Sequence, residues 1–582
     1  MAEYYPAPNE TRMKSLVQGE KARPQGPGRT LINDARVENY RTNGEPEVII
    51  EAPECLLDQN HHTMNSAGPL KVKTADGKFL IEGEGFLWLQ TNSTLFISNK
   101  VHTIAHRELM ATGETNSSVA ATEASAKEIE IFSDSFEYAK ESGLGVYHDN
   151  VRAVGTNLTL ATKTMTLILP MKDRQLESVT ADNDVVMDYE GIHATGDHGN
   201  YVVATGMAHV TGNPAWKAEA REGKGDELII DRTNKIFTAE GHAYLKMPAA
   251  SMGSAGFIPK QQAEARKSDR VATNGFVEIV SDRYVVMTNL AVFQNKVRVT
   301  ETEDQQPKGG MSCSLLTVRF VGTNQLENML AETNVVIEQR ENDTTNQFVA
   351  ARAFYTATNN IMELTGAPAW RAGLREGKAD LLLVNLQNNT LDARSNAWMR
   401  LPASELGESL PGSASKDTAG TVAKTNEFAD VYSHEYTVSP ENAFFHDHVR
   451  ILHPSMNWTC EEVSVAFPAE AGTNAIPQNV ASQKKISMMA DRRVVFVLTD
   501  PSSGQKVNGT SDTAYYDYVA SAKGTNDVLR LTGNPILTTT NGTVKNKIII
   551  LDNTSKKLIA PGKYVIYGTV AGRTNAFQMP KM

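Results

Sequence analysis

The sequence predicts an all-β protein made of strand–turn modules stacked in series, and three observations predict it. Apolar residues alternate over short runs: in "KEIEIFSDSFEYA", Ile129, Ile131, Ser133 and Ser135 fall on one face and Phe132, Asp134 and Phe136 on the other. Runs such as "DELIID", "NKIFTAEGHAYLKM" and "NKIIILD" are rich in β-branched residues and bounded by Asn, Gly, Asp or Thr, as antiparallel strands with frequent turns require. The same landmarks also return in the same order about every 150 residues. A helical period longer than three turns is found nowhere, with "ATEASAKEIE" the nearest approach.

Taken along the chain, the first residues to 29 are rich in Pro, Gly and charge and read as an extended tail. Residues 30–122 form a divergent β unit with the strand-like runs "EVIIEAPECLLD", "KFLIEGEGFLWLQ" and "TLFISNKVHTIA". Three copies of a longer module follow at 123–272, 273–425 and 426–582. Their opening strands are "EIFSDSFEY" from Glu130, "EIVSDRYVV" from Glu278 and "DVYSHEYTV" from Asp430. About ten residues later come "VYHDNVRA", "VFQNKVRV" and "FFHDHVRI", then "SVTADNDVV", "NMLAETNVV" and "SMMADRRVV". "VTGNPAW" and "LTGAPAW" shorten in the third copy to "LTGNP". The joins fall in polar, small-residue stretches at 251–268 and 404–426, and 468–483 reads as a long loop. Such a series forms either stacked jelly rolls or a solenoid, and both leave sheet edges able to pair with another β protein.

Composition narrows the function. With 582 residues the chain holds three or four units, and 40% hydrophobic against 21% charged residues fits a globular protein. No apolar run reaches the length of a membrane helix. The net charge of -11, without a basic block, argues against nucleic acid as a partner. Cys55, Cys313 and Cys460 give neither a disulfide framework nor a zinc spacing. The opening residues lack the charged start and apolar stretch of a secretory signal, so the protein is cytoplasmic or its targeting segment is missing from this sequence.

Chemistry-bearing residues are weighed by comparing copies. His446, Asp447 and His448 have the side chains of a metal or acid–base site, yet Gln294, Asn295 and Lys296 replace them in the second copy. A solvated turn is therefore the better reading, as it is for His61 and His62. Cys313 and Cys460 stand at matching core positions of different copies and read as small buried hydrophobes. Trp216 and Trp370 follow Gly/Pro turns and either stack on a sugar or plug the end of a β core, the latter preferred. The "REGKGDE" run is no phosphate loop, and no carboxylate pair, G-x-S-x-G or H-E-x-x-H repeats. No enzyme, metal or cofactor is expected.

The recurring "VYHDNVRA", "SVTADNDVV" and "VTGNPAW" phrases, with the "ELIID" and "NKIFTAEGHAYL" close, resemble the OstA-like family of lipopolysaccharide-transport bridge proteins that includes LptA and LptC. Residues 30–122 look more like LptC. The resemblance implies tandem open β jelly rolls, a periplasmic location, and lipopolysaccharide or a related glycolipid as cargo. It further implies partners in an inner-membrane transporter and an outer-membrane β-barrel, reached by edge-strand pairing. Family members often carry a single unit; this chain carries several.

On that reading the positions apolar in all three copies line the groove. They are Val151, Val297 and Val449; Leu160, Cys313 and Cys460 as one shared place; and Met165, Val318 and Val465 as the next. Val179, Met329 and Met488, then Val186, Val336 and Val495, complete the set. Arg152, Arg298 and Arg450 follow the first valines. Their guanidinium forks suit headgroup phosphates, but alternation makes them solvent-facing strand residues, which is the plainer reading. The competing function is a structural β-solenoid or assembly scaffold with a filled interior and no lipid ligand.

Overall fold

A computed structural model describes residues 1–106, 128–169, 176–249, 275–303, 306–322, 325–341, 344–403, 428–466, 484–499, 504–521, 524–540, 542–552, 554–555 and 557–567. Among them lie forty β-strands and no α-helix. The all-β expectation holds. The stretch "ATEASAKEIE", both polar joins and the loop at 468–483 lie wholly or largely outside the described residues.

Two compact units divide the chain: Met1–Pro248 with Glu278–Gln294, and Ala249–Val277 with Asn295–Met582. In the first, the strands Arg29–Tyr40, Pro46–Asp58, Thr63–Thr74, Phe79–Leu89 and Thr94–His106 pair antiparallel in chain order. Thr94–His106 then pairs with both Glu128–Ser133 and Ser135–Ala139. Leu144–Gly155, Leu158–Ile168, Ser178–Tyr189 and Ile192–Val202 continue the ladder. There it splits, because two short strands, Met207–Thr211 and Ala215–Ala218, share the face of Ile192–Val202. The second unit repeats the pattern, with Thr344–Thr356 and Lys506–Ser521 each facing two short strands.

Residues 1–29 depart from the expected tail. Ala2–Tyr4, Met13–Gln18 and Lys21–Gly26 are strands, and the last two pair with Arg29–Tyr40. Val17 is buried and the Met1 amino group donates to its carbonyl. Pro and charge spoil the sequence signal for a strand, but an edge strand tolerates both because only one side of its backbone needs partners.

The long strands bend sharply at pairs of consecutive residues in the left-handed region. These are Asp149/Asn150, Asn183/Asp184, Asn295/Lys296, Thr333/Asn334, Ser395/Asn396, Asp447/His448 and Arg492/Arg493. The register shifts across six of them. Asn and Asp tolerate this conformation better than most side chains, so polar residues recur at these places. His446, Asp447 and His448 thus sit at a bend inside the single strand Asn442–His453, all three exposed, rather than at the end of a hairpin. Small side chains facing a bend bond the carbonyls it frees: Ser133 and Ser281 donate to the carbonyls of Ser135 and Arg283 at 2.9 and 3.0 Å. Thr162 donates to the Asp182 carbonyl of the neighbouring strand at 2.8 Å, and the Cys460 thiol to the Glu462 carbonyl of its own strand at 3.4 Å.

Candidate functional site

The interior is lined by the alternate residues of these strands, and burial and pairing show which of the residues expected to line a groove point inward. Val151, Val297 and Val449 are buried, as are Met165, Val318, Val465, Met329 and Met488; Val179 is partly buried against the same core. The last set, Val186, Val336 and Val495, faces the other way. Val495 is 45% exposed, and Val186 and Val336 are only half-buried, while their predecessors Val185, Val335 and Val494 are the inward residues. The left-handed pair just before each "VV" fixes which valine turns in, and alternation alone does not reveal it.

Pairing also shifts the first copy by two residues. Val151 stands opposite Thr162, as Val449 stands opposite Cys460, so Thr162 and not Leu160 shares the place of the cysteines. By the same register Met165 answers to Leu316 and Val463, and Leu167 to Val318 and Val465. Leu160 instead answers to Met311 and Trp458.

Burial pushes the thiols of Cys55 and Cys313 up to about 11 and that of Cys460 up to about 12. All three are free. Since the thiolate is the reactive form, an aromatic disulfide reagent at pH 8 labels none of them in the folded protein and all three in denaturant, as counted by absorbance of the released thiolate.

Aromatic residues fill the interior at the start of each copy. Phe136 and Tyr147 lie with ring centres 4.5 Å apart, Tyr284 and Phe293 at 5.7 Å, and Tyr436 and Phe445 at 5.6 Å. In each pair one hydroxyl bonds a residue contributed by the preceding copy or unit. Tyr147 donates to Thr103 at 3.1 Å, while Tyr284 and Tyr436 accept the indole N–H of Trp216 at 3.0 Å and Trp370 at 2.7 Å. The two tryptophans are therefore plugs of the β core. Gly223 and Gly377 make room for them, since a Cβ at Gly377 would come within 2.5 Å of both Trp370 Nε1 and the Tyr436 hydroxyl.

A cleft of about 120 Å³ opens in the first unit. Val48, Val72, Phe79, Ile81, Trp88, Leu95, Phe136, Leu167 and Leu169 make it apolar. The alternation in "PLKVKTADGKFLIEGEGFLW" turns Val72, Ile81 and Trp88 inward, and Gly145 leaves the opposite wall without a side chain. Its rim is polar: Asn39, Glu47, Asp76, Lys78, Tyr138 and Lys140. The Lys140 ammonium lies 2.6 Å from Glu47, with both side chains nearly buried, and Arg41 is 3.7 Å from the same carboxylate. Burial, reinforced by Glu47, pushes the Tyr138 phenol up to about 12.

Comparison of copies directs attention to positions present three times, and this cleft is walled partly by the divergent unit that has no repeat and partly by strands of the first copy. The strand-like run that holds Ile81 and Trp88 was legible; the inward facing of its residues and the convergence of Glu47, Lys78 and Lys140 from three separated segments were not read from it. Arg152, Arg298 and Arg450 all face outward, and Arg450 lies over the Tyr432 ring at 5.1 Å. Histidines pair with carboxylates along the surface, as in His198 with Asp182 at 2.5 Å and His209 with Glu227 at 2.6 Å. No cluster of three metal-ligating side chains occurs among the described residues. No described helix is long and apolar enough to cross a membrane.

Residues 130–236, most of the first copy, match the family model described as LptA/(LptD N-terminal domain) LPS transport protein. Among solved structures, the chain is similar to the crystal structure of LptH, the LptA homologous periplasmic component of the conserved lipopolysaccharide transport device from Pseudomonas aeruginosa. That likeness has 20% identity and a TM-score of 0.18, over 23% of this chain and 89% of the other. No curated protein matches the chain.

Proposed function

From the OstA-like module of the lipopolysaccharide-transport family at residues 130–236, we propose that this protein is a non-catalytic periplasmic component of lipopolysaccharide transport. Its four β modules, at 30–122, 123–272, 273–425 and 426–582, hold the acyl chains of a glycolipid away from water on the way to the outer membrane. The observation that carries this reading is the apolar cleft between the strands of the first unit. An acyl chain of a dozen methylenes loses on the order of 10 kcal/mol when it passes bare into water, so a carrier must offer it an apolar surface. Alternation supplies one without exposing a greasy exterior.

Edge strands offer the route to partners. Ile559 and Val565–Tyr567 are exposed on the short strands that end the described residues, and Lys21–Gly26 is exposed throughout. An inner-membrane transporter and an outer-membrane β-barrel are the partners this reading assigns to such edges, and the transporter would supply the energy.

The test is native mass spectrometry after incubation with purified lipopolysaccharide, beside a Leu169→Asp variant. Leu169 lines the cleft and is only half-buried at the edge of the core, so the substitution disturbs the fold less than one at a fully buried position would. Stoichiometric adducts are expected for the parent protein, with a loss of tenfold or more in the variant, as the roughly 2 kcal/mol or more for setting a charge against an acyl chain requires. A folded parent without adducts overturns the proposal. The scaffold reading would then stand, and the aromatic pairs at 136/147, 284/293 and 436/445 favour it, because they close the interior with large interlocking side chains.

A further inference from the structure

The cleft is small and its rim is charged, and these two facts narrow what it holds. At about 120 Å³ it is of the order of the engineered cavity, about 150 Å³, that admits one benzene. One hydrocarbon chain enters such a space end-on; several side by side do not. Around it three cations, Arg41, Lys78 and Lys140, face two carboxylates, Glu47 and Asp76. Arg41 and Lys140 share Glu47. The half-buried Lys78 ammonium has no ion-pair partner among the described residues. A local positive excess on a chain of net charge -11 selects for the sign of a ligand's head.

We propose that this cleft binds one acyl chain end-on and that Lys78, supported by Lys140, holds the anionic group at its head, so that it takes a single-chain anionic amphiphile in a ratio of one per protein. The inference rests on the reading of the interior as lipid-holding space and adds to it the number of chains and the charge of the head. Phe79, next to Lys78 in the chain, lines the same cleft, so adjacent residues supply it with an ammonium and an apolar ring, the two groups that the head and tail of such a ligand call for.

Trp88 lines the cleft and reports occupancy through its fluorescence. Titration of the full chain with dodecanoate, dodecanol and dodecyltrimethylammonium, all below their aggregation concentrations, is expected to give saturable binding of dodecanoate at one per chain. Dodecanol should bind at least tenfold more weakly and the cation weaker still. Lys78→Glu should weaken dodecanoate at least tenfold and leave dodecanol unchanged, Lys78→Arg should restore binding, and Leu169→Trp, which fills the cleft, should abolish it. Equal affinity for all three heads, more than one dodecanoate per chain, or indifference to Lys78→Glu overturns the proposal. Native mass spectrometry with lipopolysaccharide on the same preparation separates the two failures. Glycolipid adducts without dodecanoate binding sink this inference alone, and the absence of both sinks the transport reading as well.

Discussion

Tyr436→Ala is expected to destabilise the strands around the third copy's opening by about 4 kcal/mol, the range for removing a large buried aromatic side chain. Tyr436 is 1% exposed, packs on Phe445 and accepts the Trp370 indole N–H. Tyr436→Phe keeps the ring but leaves a buried indole donor unpaired, at a cost of about 2 kcal/mol. Trp370→Phe combined with Tyr436→Phe should then cost less than the two single changes summed, with a coupling of about 1 kcal/mol. A protein with two units does not unfold in one step, so hydrogen exchange is the measure. Amides of Phe428–Val438 and Asn442–His453 should exchange about a thousandfold faster in Tyr436→Ala, while Arg29–Tyr40 and Pro46–Asp58 stay unchanged. Equal protection in Tyr436→Phe and the parent would show that the hydroxyl contributes nothing.

Gly509→Val is the second large effect, about 3 kcal/mol or more. Across the third copy one row of paired residues runs Trp458, Phe496, Gly509 and Leu537; in the second it runs Met311, Ile337, Phe348 and Trp370. The large side chains have moved from one end of the row to the other. Trp458 and Phe496 stack at 5.2 Å, and the Phe496 ring occupies the place where a Gly509 side chain would begin. Valine there must drive Phe496 off its rotamer or push the strands apart. Exchange in Lys484–Thr499 and Lys506–Ser521 should rise by two orders of magnitude or more, and Gly509→Val with Phe496→Ala should recover part of the loss. No recovery would mean that the two residues do not compete for one space.

The strands themselves were legible because alternation and turn residues are local signals. The three copies were legible because the interior repeats its demands: Val151, Val297 and Val449 are each about 1% exposed. What escaped was phase. A two-residue left-handed bend adds residues without adding a strand, so Val495 could not be told from Val494 before the register of Lys484–Thr499 was known. The first-copy match slipped by two for a related reason, since Thr162 serves its bend through a hydroxyl where Cys460 uses a thiol, and apolar matching passed it by. The cleft rim was hidden for another reason. Glu47, Lys78 and Lys140 are far apart in the chain, and only the fold brings them together.

The Trp–Tyr bonds set an order of completion. Trp216 and Trp370 precede their hydroxyl partners by 68 and 66 residues. A chain emerging from its N-terminus therefore carries each indole for several seconds of synthesis, at ~5–20 residues per second, before the tyrosine that clasps it exists. Until then each of these two copies lacks the hydroxyl that its indole bonds. The third copy places Leu537 where its predecessors have tryptophan. An aliphatic side chain asks for no donor or acceptor, so this copy closes its row without borrowing a hydroxyl from elsewhere in the chain.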